Sequence, residues 1–349
     1  MINKQIKVGM ILSYALIVFN TLYGLFITPY IIGQLGTSEY GVYKTISSLS
    51  ASLMVLDLGI GSTVMRFVAK YRAVKDDESI PNFVTMSLIH ATLLSGVIIV
   101  IGIAVFFTIK PTYSNSFSAE ELKKAQILFC IILVNMVFHV FENVINGVIT
   151  GCNRFQFGNG IKVLRLITRV LLIILLLAVY SSSVVLVSVD LIVTIVFILI
   201  ELFYVIRILH IKPKYTYWNR ALFIESGKYT ALMFLTSIAA QVNNNLDNII
   251  IGAISGPNLV TVYSMGLLIF GMYENLSTSV SSVMLPTVTN LLEEDKSGTS
   301  IYQLVVKAGR IQFLLLGATV VGFACIGRDF ISSWLGSGYE DVYIITLIL

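Results

Sequence analysis

The chain has 349 residues, of which 56% are hydrophobic and only 12% charged, and its mean hydropathy is +0.88. So much apolar surface cannot be hidden in one soluble core and requires lipid as its solvent. The formal charge of +4 does not signal nucleic acid, because the basic residues lie between apolar runs and form no patch with interleaved aromatics.

Lys4 and Lys7 precede the first apolar run, at about 8–32. With no charge from Val8 to Ser38 and no A-x-A site, the run reads as an uncleaved membrane helix rather than a signal peptide. A turn loosened by Pro29, Gly33 and Gly36 leads to a second helix at about 40–70, which ends in the basic and then acidic stretch RFVAKYRAVKDDES. The third and fourth helices are predicted at about 81–109 and 121–150. A short Gly/Asn/Arg turn at 153–159 precedes the fifth at about 160–180, and the sixth covers about 184–208. Residues 211–228 carry Lys212, Lys214, Arg220 and Lys228 with Tyr215, Tyr217 and Trp218, the composition of a cytoplasmic interfacial linker. Helices seven to nine follow at about 229–255, 258–292 and 301–326.

A tenth apolar stretch opens at Asp341, and the residues from there to Leu349 are too few to cross a hydrocarbon core of about 30 Å. The chain therefore reads as a fragment, with a complete N-terminal lobe at 1–210 and a C-terminal lobe at 229–349 that is cut midway. Placing the N-terminus in the cytoplasm puts 18 of the 23 lysines and arginines on that side. Only Lys44, Lys110, Lys123, Lys124 and Arg328 are left outside, as the positive-inside rule demands.

One figure occurs twice. Ile31, Ile32 and Gly33 match Ile250, Ile251 and Gly252; after one inserted residue, Gly36, Val42 and Tyr43 match Gly256, Val262 and Tyr263. The interval far exceeds the period of a solenoid, so two homologous bundles are expected, as in transporters that alternate access about the interface of their repeats.

Polar residues inside these helices are costly and face a partner or a wet cavity. Asn135, His139, Glu142, Asn143 and Asn146 share one face of the fourth helix. Gln241, Asn244, Asn245 and Asn248 share a face of the seventh, with Asn243 and Asp247 beside them, and Glu274 opens a hydroxyl stripe on the eighth. Interhelical hydrogen bonding explains the serines, whereas the amides of the seventh helix exceed what pairwise packing needs. His139 has no second His or Cys at ligand spacing and reads as a hydrogen-bonding member of its face. The three cysteines, Cys130, Cys152 and Cys325, lie far apart without CxxC spacing and specify neither a zinc site nor a disulfide framework.

Lys162, Arg165 and Arg169 share a face of the fifth helix, and Arg169 lies roughly 10 Å deeper than Lys162. Arg66 is a shallower case on the second helix. Such guanidiniums can grip phosphate through a bidentate fork. Equally, they can pair with Glu142, Glu201 or Asp247, or anchor the chain at the interface. Asp57, Glu142, Asp190, Glu201, Asp247 and Glu274 are suited either to ion coupling or to a counter-ion role.

The stretches TPYIIGQLGTSEYGVY (28–43), LDLGIGSTVMRF (56–67), GCNRFQFGNGIKVLRLITR (151–169), LDNIIIG (246–252) and GRDFISSWLGSGYEDVY (327–343) together carry a resemblance. The chain resembles the lipid-linked oligosaccharide flippases of bacterial O-antigen and capsule assembly, in the superfamily that also holds the multidrug and toxin extruders. The resemblance implies an all-α integral membrane protein with two pseudo-symmetric six-helix bundles around a central cavity, the second truncated here. It implies transfer of a polyprenyl-pyrophosphate-linked oligosaccharide between leaflets of the bacterial inner membrane, and association with polymerase and chain-length proteins. Under it, Arg66, Arg165 and Arg169 are head-group candidates; Gln241, Asn244, Asn245, Asn248 and Asn143 are glycan candidates; Asp57, Glu142, Asp247 and Glu274 are ion-coupling candidates.

Two other functions compete. A multidrug extruder would share the fold but would line its cavity with acidic or aromatic groups, a role open to Asp57, Asp247 and Glu274. A membrane polymerase or ligase needs a catalytic constellation, and the longest outer connection, KPTYSNSFSAE, has no His and no evident nucleophile. There is no GxxxxGK[ST] loop for ATP and no cofactor motif.

Overall fold

The computed structural model describes residues 4–54, 59–215, 220–294 and 299–349, with side chains described outside 4–7, 9–10, 14, 221–222, 233–244 and 279–301. All regular structure among the described residues is helical, which lets each segment satisfy its own backbone in lipid. The first span joins α1 (Lys4–Leu22) through a π-helical turn at Tyr23–Ile27 to α2 (Thr28–Leu35). Pro29 sits in the first turn of α2, where its missing N–H costs no hydrogen bond.

Gly36, at φ +80°, ends α2 and starts α3 (Thr37–Leu53), a left-handed conformation that favours glycine. Then follow α4 (Ile60–Ala73), α5 (Ile80–Tyr113), α6 (Ala119–Gly151) and α7 (Phe155–Leu177). Ser118 and Glu121 form a reciprocal capping box that fixes the start of α6. The next helix, α8 (Ser183–Phe203), runs into a second π turn at Tyr204–Ile208, and α9 (Arg220–Ser255), α10 (Pro257–Glu294), α11 (Thr299–Leu335) and α12 (Asp341–Ile348) complete the chain.

Six of these helical segments are long and apolar enough to cross a membrane. The expected helices are found in order, with corrections. The second, expected unbroken at about 40–70, is two helices, α3 ending at Leu53 and α4 starting at Ile60; Pro29 and Gly33 of the expected turn lie within α2; and α7 starts at Phe155 rather than 160. α9 begins at Arg220 rather than 229, so the second half of the expected linker is helical. Its first turns are held by a stack of Phe223 on His90, with ring centroids 3.7 Å apart, and by the buried Ser226. α11 continues past 326 to Leu335 and stops before Gly336, at φ +86°.

The chain divides into two compact units, 1–260 and 261–349. The first has its core between α4, α5 and α6, where Val64, Val68, Phe83, Met136, Val144 and Val148 are buried together. Gly147 and Gly151, one turn apart, let α6 lie directly on α4: a Cβ on Gly147 would fall 2.6 Å from the Gly61 carbonyl, and one on Gly151 2.8 Å from Val68 Cβ. This is the small-xxx-small contact by which membrane helices approach without a hydrophobic driving force. In the second unit Gly266 accommodates Ile345, and Tyr343 of α12 stacks on Phe323 and donates to the Ala324 carbonyl at 2.9 Å.

Candidate functional site

The repeated figure acquires a structural signature. Gly36 and Gly256, matched in the sequence, both adopt positive φ, +80° and +84°, and both separate a helix that has ended from one that starts at the next residue.

The two copies also meet along an antiparallel seam between α3 and α9. A Cβ on Gly41 would collide with the Pro257 carbonyl, and one on Gly252 would fall 2.7 Å from Thr45 Cγ2. Asn248 donates from Nδ2 to Ser48 Oγ at 3.1 Å, and Ser116 Oγ donates to the Gly252 carbonyl at 2.8 Å. Asn248 is thus buried in a hydrogen-bonded helix contact.

Two cations of α7, Arg165 and Arg169, have partners. Arg165 forks between Glu142 of α6 and Thr194 Oγ1 of α8, the latter at 2.6 Å. His139 Nδ1 lies 2.9 Å from the second oxygen of Glu142, so the predicted polar face of the fourth helix closes around one buried carboxylate. Arg169 makes a bidentate pair with Asp190 of α8, Nε to Oδ1 at 2.5 Å and Nη2 to Oδ2 at 3.0 Å, and its guanidinium lies 5.3 Å from the centre of the Tyr23 ring. Glu201, 2% exposed, points an Oε2 with no hydrogen-bond partner among the described residues toward this interior.

Arg66 stands apart from these pairs. It is exposed on α4, its guanidinium lies 4.4 Å over the ring of Tyr229 on α9, and no carboxylate pairs with it among the described residues. Beside it, Thr63 and Thr230 share a hydrogen bond of 2.8 Å between their hydroxyls.

The other candidates are dispersed. Asn143 stands on the face of α6 that packs against Gly61. Asn245 is half-buried and Asp247 exposed, both already engaged in contacts, and Glu274 is exposed on α10. Asp57 and the side chains of Gln241 and Asn244 lie outside the described residues. Among the described residues, no group of three His, Cys, Asp or Glu side chains is placed to hold a metal ion.

The sequence reading did not name Asp190 as the partner of Arg169, nor Thr194, Tyr23 or Tyr229. Asp190 was visible as one of the few carboxylates inside an apolar run. Nothing in a one-dimensional pattern assigns that run as the neighbour of the fifth helix.

A family model described as "Polysaccharide biosynthesis protein" matches residues 7–292. "Probable flippase AglR" of Haloferax volcanii is 22% identical over 343 residues, which are 97% of this chain and 66% of that protein. The chain thus spans just under two thirds of the length of that relative. Among solved structures, one titled "Inward-facing conformation of a multidrug resistance MATE family transporter of the MOP superfamily" superposes with a TM-score of 0.71 at 16% identity, covering 95% of this chain and 76% of the other. A MATE protein in complex with MaD3S gives 0.61 at 16% identity, covering 99% and 80%. At such identities the likeness shows the fold, which is MATE-like.

Proposed function

Because this chain belongs to the polysaccharide biosynthesis protein family, we propose that it flips a polyprenyl-pyrophosphate-linked oligosaccharide from the cytoplasmic to the outer leaflet of a bacterial inner membrane, for assembly of a surface polysaccharide. Alternating access, with the N-terminus in the cytoplasm and two lobes divided near 211–228, is the mechanism of this proposal. Polymerase and chain-length proteins are its proposed partners.

The observation that carries it is Arg66. A pyrophosphate needs a cation whose charge is not already neutralised, and an exposed guanidinium over an aromatic face offers a planar fork of donors. Arg165 and Arg169 are held by Glu142 and Asp190, which assigns them to scaffold first and to substrate only if those pairs open. The glycan would find hydroxyl and amide donors along α3 and α9 once the Ser48–Asn248 contact opens, with Asn245 beside it.

The test is export of a lipid-linked glycan in cells lacking their own flippase, at matched membrane abundance. Parent protein is expected to restore export, and Arg66→Ala to lower it by about tenfold or more, the effect of losing one charge-assisted contact. Silence of Arg66→Ala, together with resistance to organic cations that Asp247→Asn removes, would overturn the flippase reading in favour of an extruder.

A further inference from the structure

Three chain reversals converge on one side of the first unit: the connection from α4 to α5, the turn from α6 to α7 and the end of α8. They enclose a polar pocket of about 220 Å³ lined by Arg72, Asp77, Cys152, Arg154 and His210. Its walls are fixed by the backbone. Asn153 and His210 both adopt left-handed φ, +58° and +57°, Lys214 N–H donates to the Pro81 carbonyl at 3.3 Å, and Arg72 Nη1 donates to the Cys152 carbonyl at 3.3 Å.

Arg154 is the N-cap of α7, and its buried Nε has no hydrogen-bond partner among the described residues. Asp77 sits at the rim, 69% exposed and 3.8 Å from Arg72. Two guanidiniums against one carboxylate leave the pocket positive. The start of α7 has no side-chain cap and adds the positive end of its dipole.

Arg154 also lines a second space. A groove of about 450 Å³ runs from it along α7, walled by Phe157, Ile161, Leu164 and Tyr204. Phe157 and Tyr204 stack with ring centroids 3.5 Å apart, which makes one side of the groove a flat apolar wall, and Leu164 is 53% exposed. One arginine therefore joins a small cationic pocket to an elongated apolar groove.

A free phosphate would use the first and leave the second empty. The pair fits a molecule with a phosphate at one end and an alkyl chain at the other. Lys70 at the end of α4 and Lys75, Lys212 and Lys214 of the connections outnumber Asp76 and Glu78 beside them, on the basic side of the chain, where an anionic leaflet is attracted.

We propose that this is a binding site for a membrane phospholipid of net negative charge, its phosphate on Arg154 and Arg72 and one acyl chain along Phe157, Ile161 and Leu164. It does not depend on the transport reading. Its ligand is a resident of the bilayer, and binding is measured without any glycan substrate.

The test uses the full chain purified in detergent, with lipid adducts followed by native mass spectrometry while phosphatidylglycerol or phosphatidylcholine is titrated. Parent protein is expected to retain phosphatidylglycerol at least several-fold more strongly than phosphatidylcholine. Arg154→Gln should weaken that retention by about tenfold, the worth of one charge-assisted contact. Leu164→Glu, which charges the groove and leaves the pocket intact, should also release the lipid. Equal retention of the two lipids by the parent overturns the proposal, and this arm needs no variant to fold. Displacement of the lipid by millimolar inorganic phosphate, with Leu164→Glu unaffected, overturns it in favour of a simple phosphate site.

Discussion

Glu142 is held in the interior by Arg165 on one side and His139 on the other. Removing one member of a buried pair leaves the other charge uncompensated, at about 3 kcal/mol. Glu142→Gln should therefore lower the melting temperature in detergent by several degrees. The double replacement of Glu142 and Arg165 by leucine or methionine should recover much of the loss, and a melting series on the three proteins checks both. Glu39, in the first turn of α3 and outside the six candidate spans, accepts hydrogen bonds from Lys124 at 2.6 Å and from Ser183 N–H and Oγ at 2.7 and 2.8 Å. Partial burial pushes its carboxyl upward, but the bonds from Lys124 and Ser183 outweigh this and hold it below the ordinary glutamate value. A carboxylate with a depressed folded pKa stabilises fully above its unfolded pKa and loses that contribution as pH falls through the folded value. Melting temperature should thus be flat from neutral pH down to the ordinary glutamate range of 4.5 and fall below it, with a smaller acid loss in Glu39→Gln. The one-face spacing of Lys162, Arg165 and Arg169 was legible in the sequence, as was the face of α6 around Glu142. That Arg169 is spoken for by Asp190 was not, because periodicity locates a side chain on its own helix and says nothing about which helix lies opposite.

At the scale of elements, the order of most helices was legible because lipid permits so few alternatives, from long apolar runs, basic connections and glycines at the breaks; the division of the expected second helix into α3 and α4 was not. Boundaries were less legible where a helix leaves the hydrocarbon. The stretch from Arg220 to Lys228 has the charges of a linker, and it is helical because Phe223 finds His90 on α5. The pair Gly147 and Gly151 was also passed over in the reading, although its four-residue spacing is the signature of close helix contact. Gly147→Val should force α4 and α6 apart, since the new side chain would meet the Gly61 carbonyl and Val64. Overpacking of this kind costs about 1–3 kcal/mol, and lower membrane abundance with an earlier melting transition is the expected outcome. Gly256→Ala adds left-handed backbone strain at a point only 3.1 Å from the Ser116 carbonyl and should destabilise, while Gly33→Ala, at a site with open space around it, should be tolerated.

For the whole molecule, the fold is MATE-like and the family is that of polysaccharide biosynthesis proteins, while the role of Arg66 toward a substrate belongs to the proposal. The seam between α3 and α9 bears on how such a molecule works in time. At its contacts Gly41, Thr45 and Ser48 meet Pro257, Gly252 and Asn248, so hydroxyls, an amide and bare backbone face one another, while Val42 and Ile46 of α3 are buried in an apolar cluster that Ala253 of α9 joins. If the transport cycle parts this seam, the polar contacts trade one hydrogen-bond partner for another and add little to the heat capacity of the step. Ser48→Leu, which substitutes alkyl surface for a hydroxyl, is expected to slow export at unchanged abundance, with a steeper dependence on temperature than the parent; identical temperature profiles would show that the seam stays shut. The directional bonds at this joint, Asn248 on Ser48 and Ser116 on the Gly252 carbonyl, select one register each time it closes.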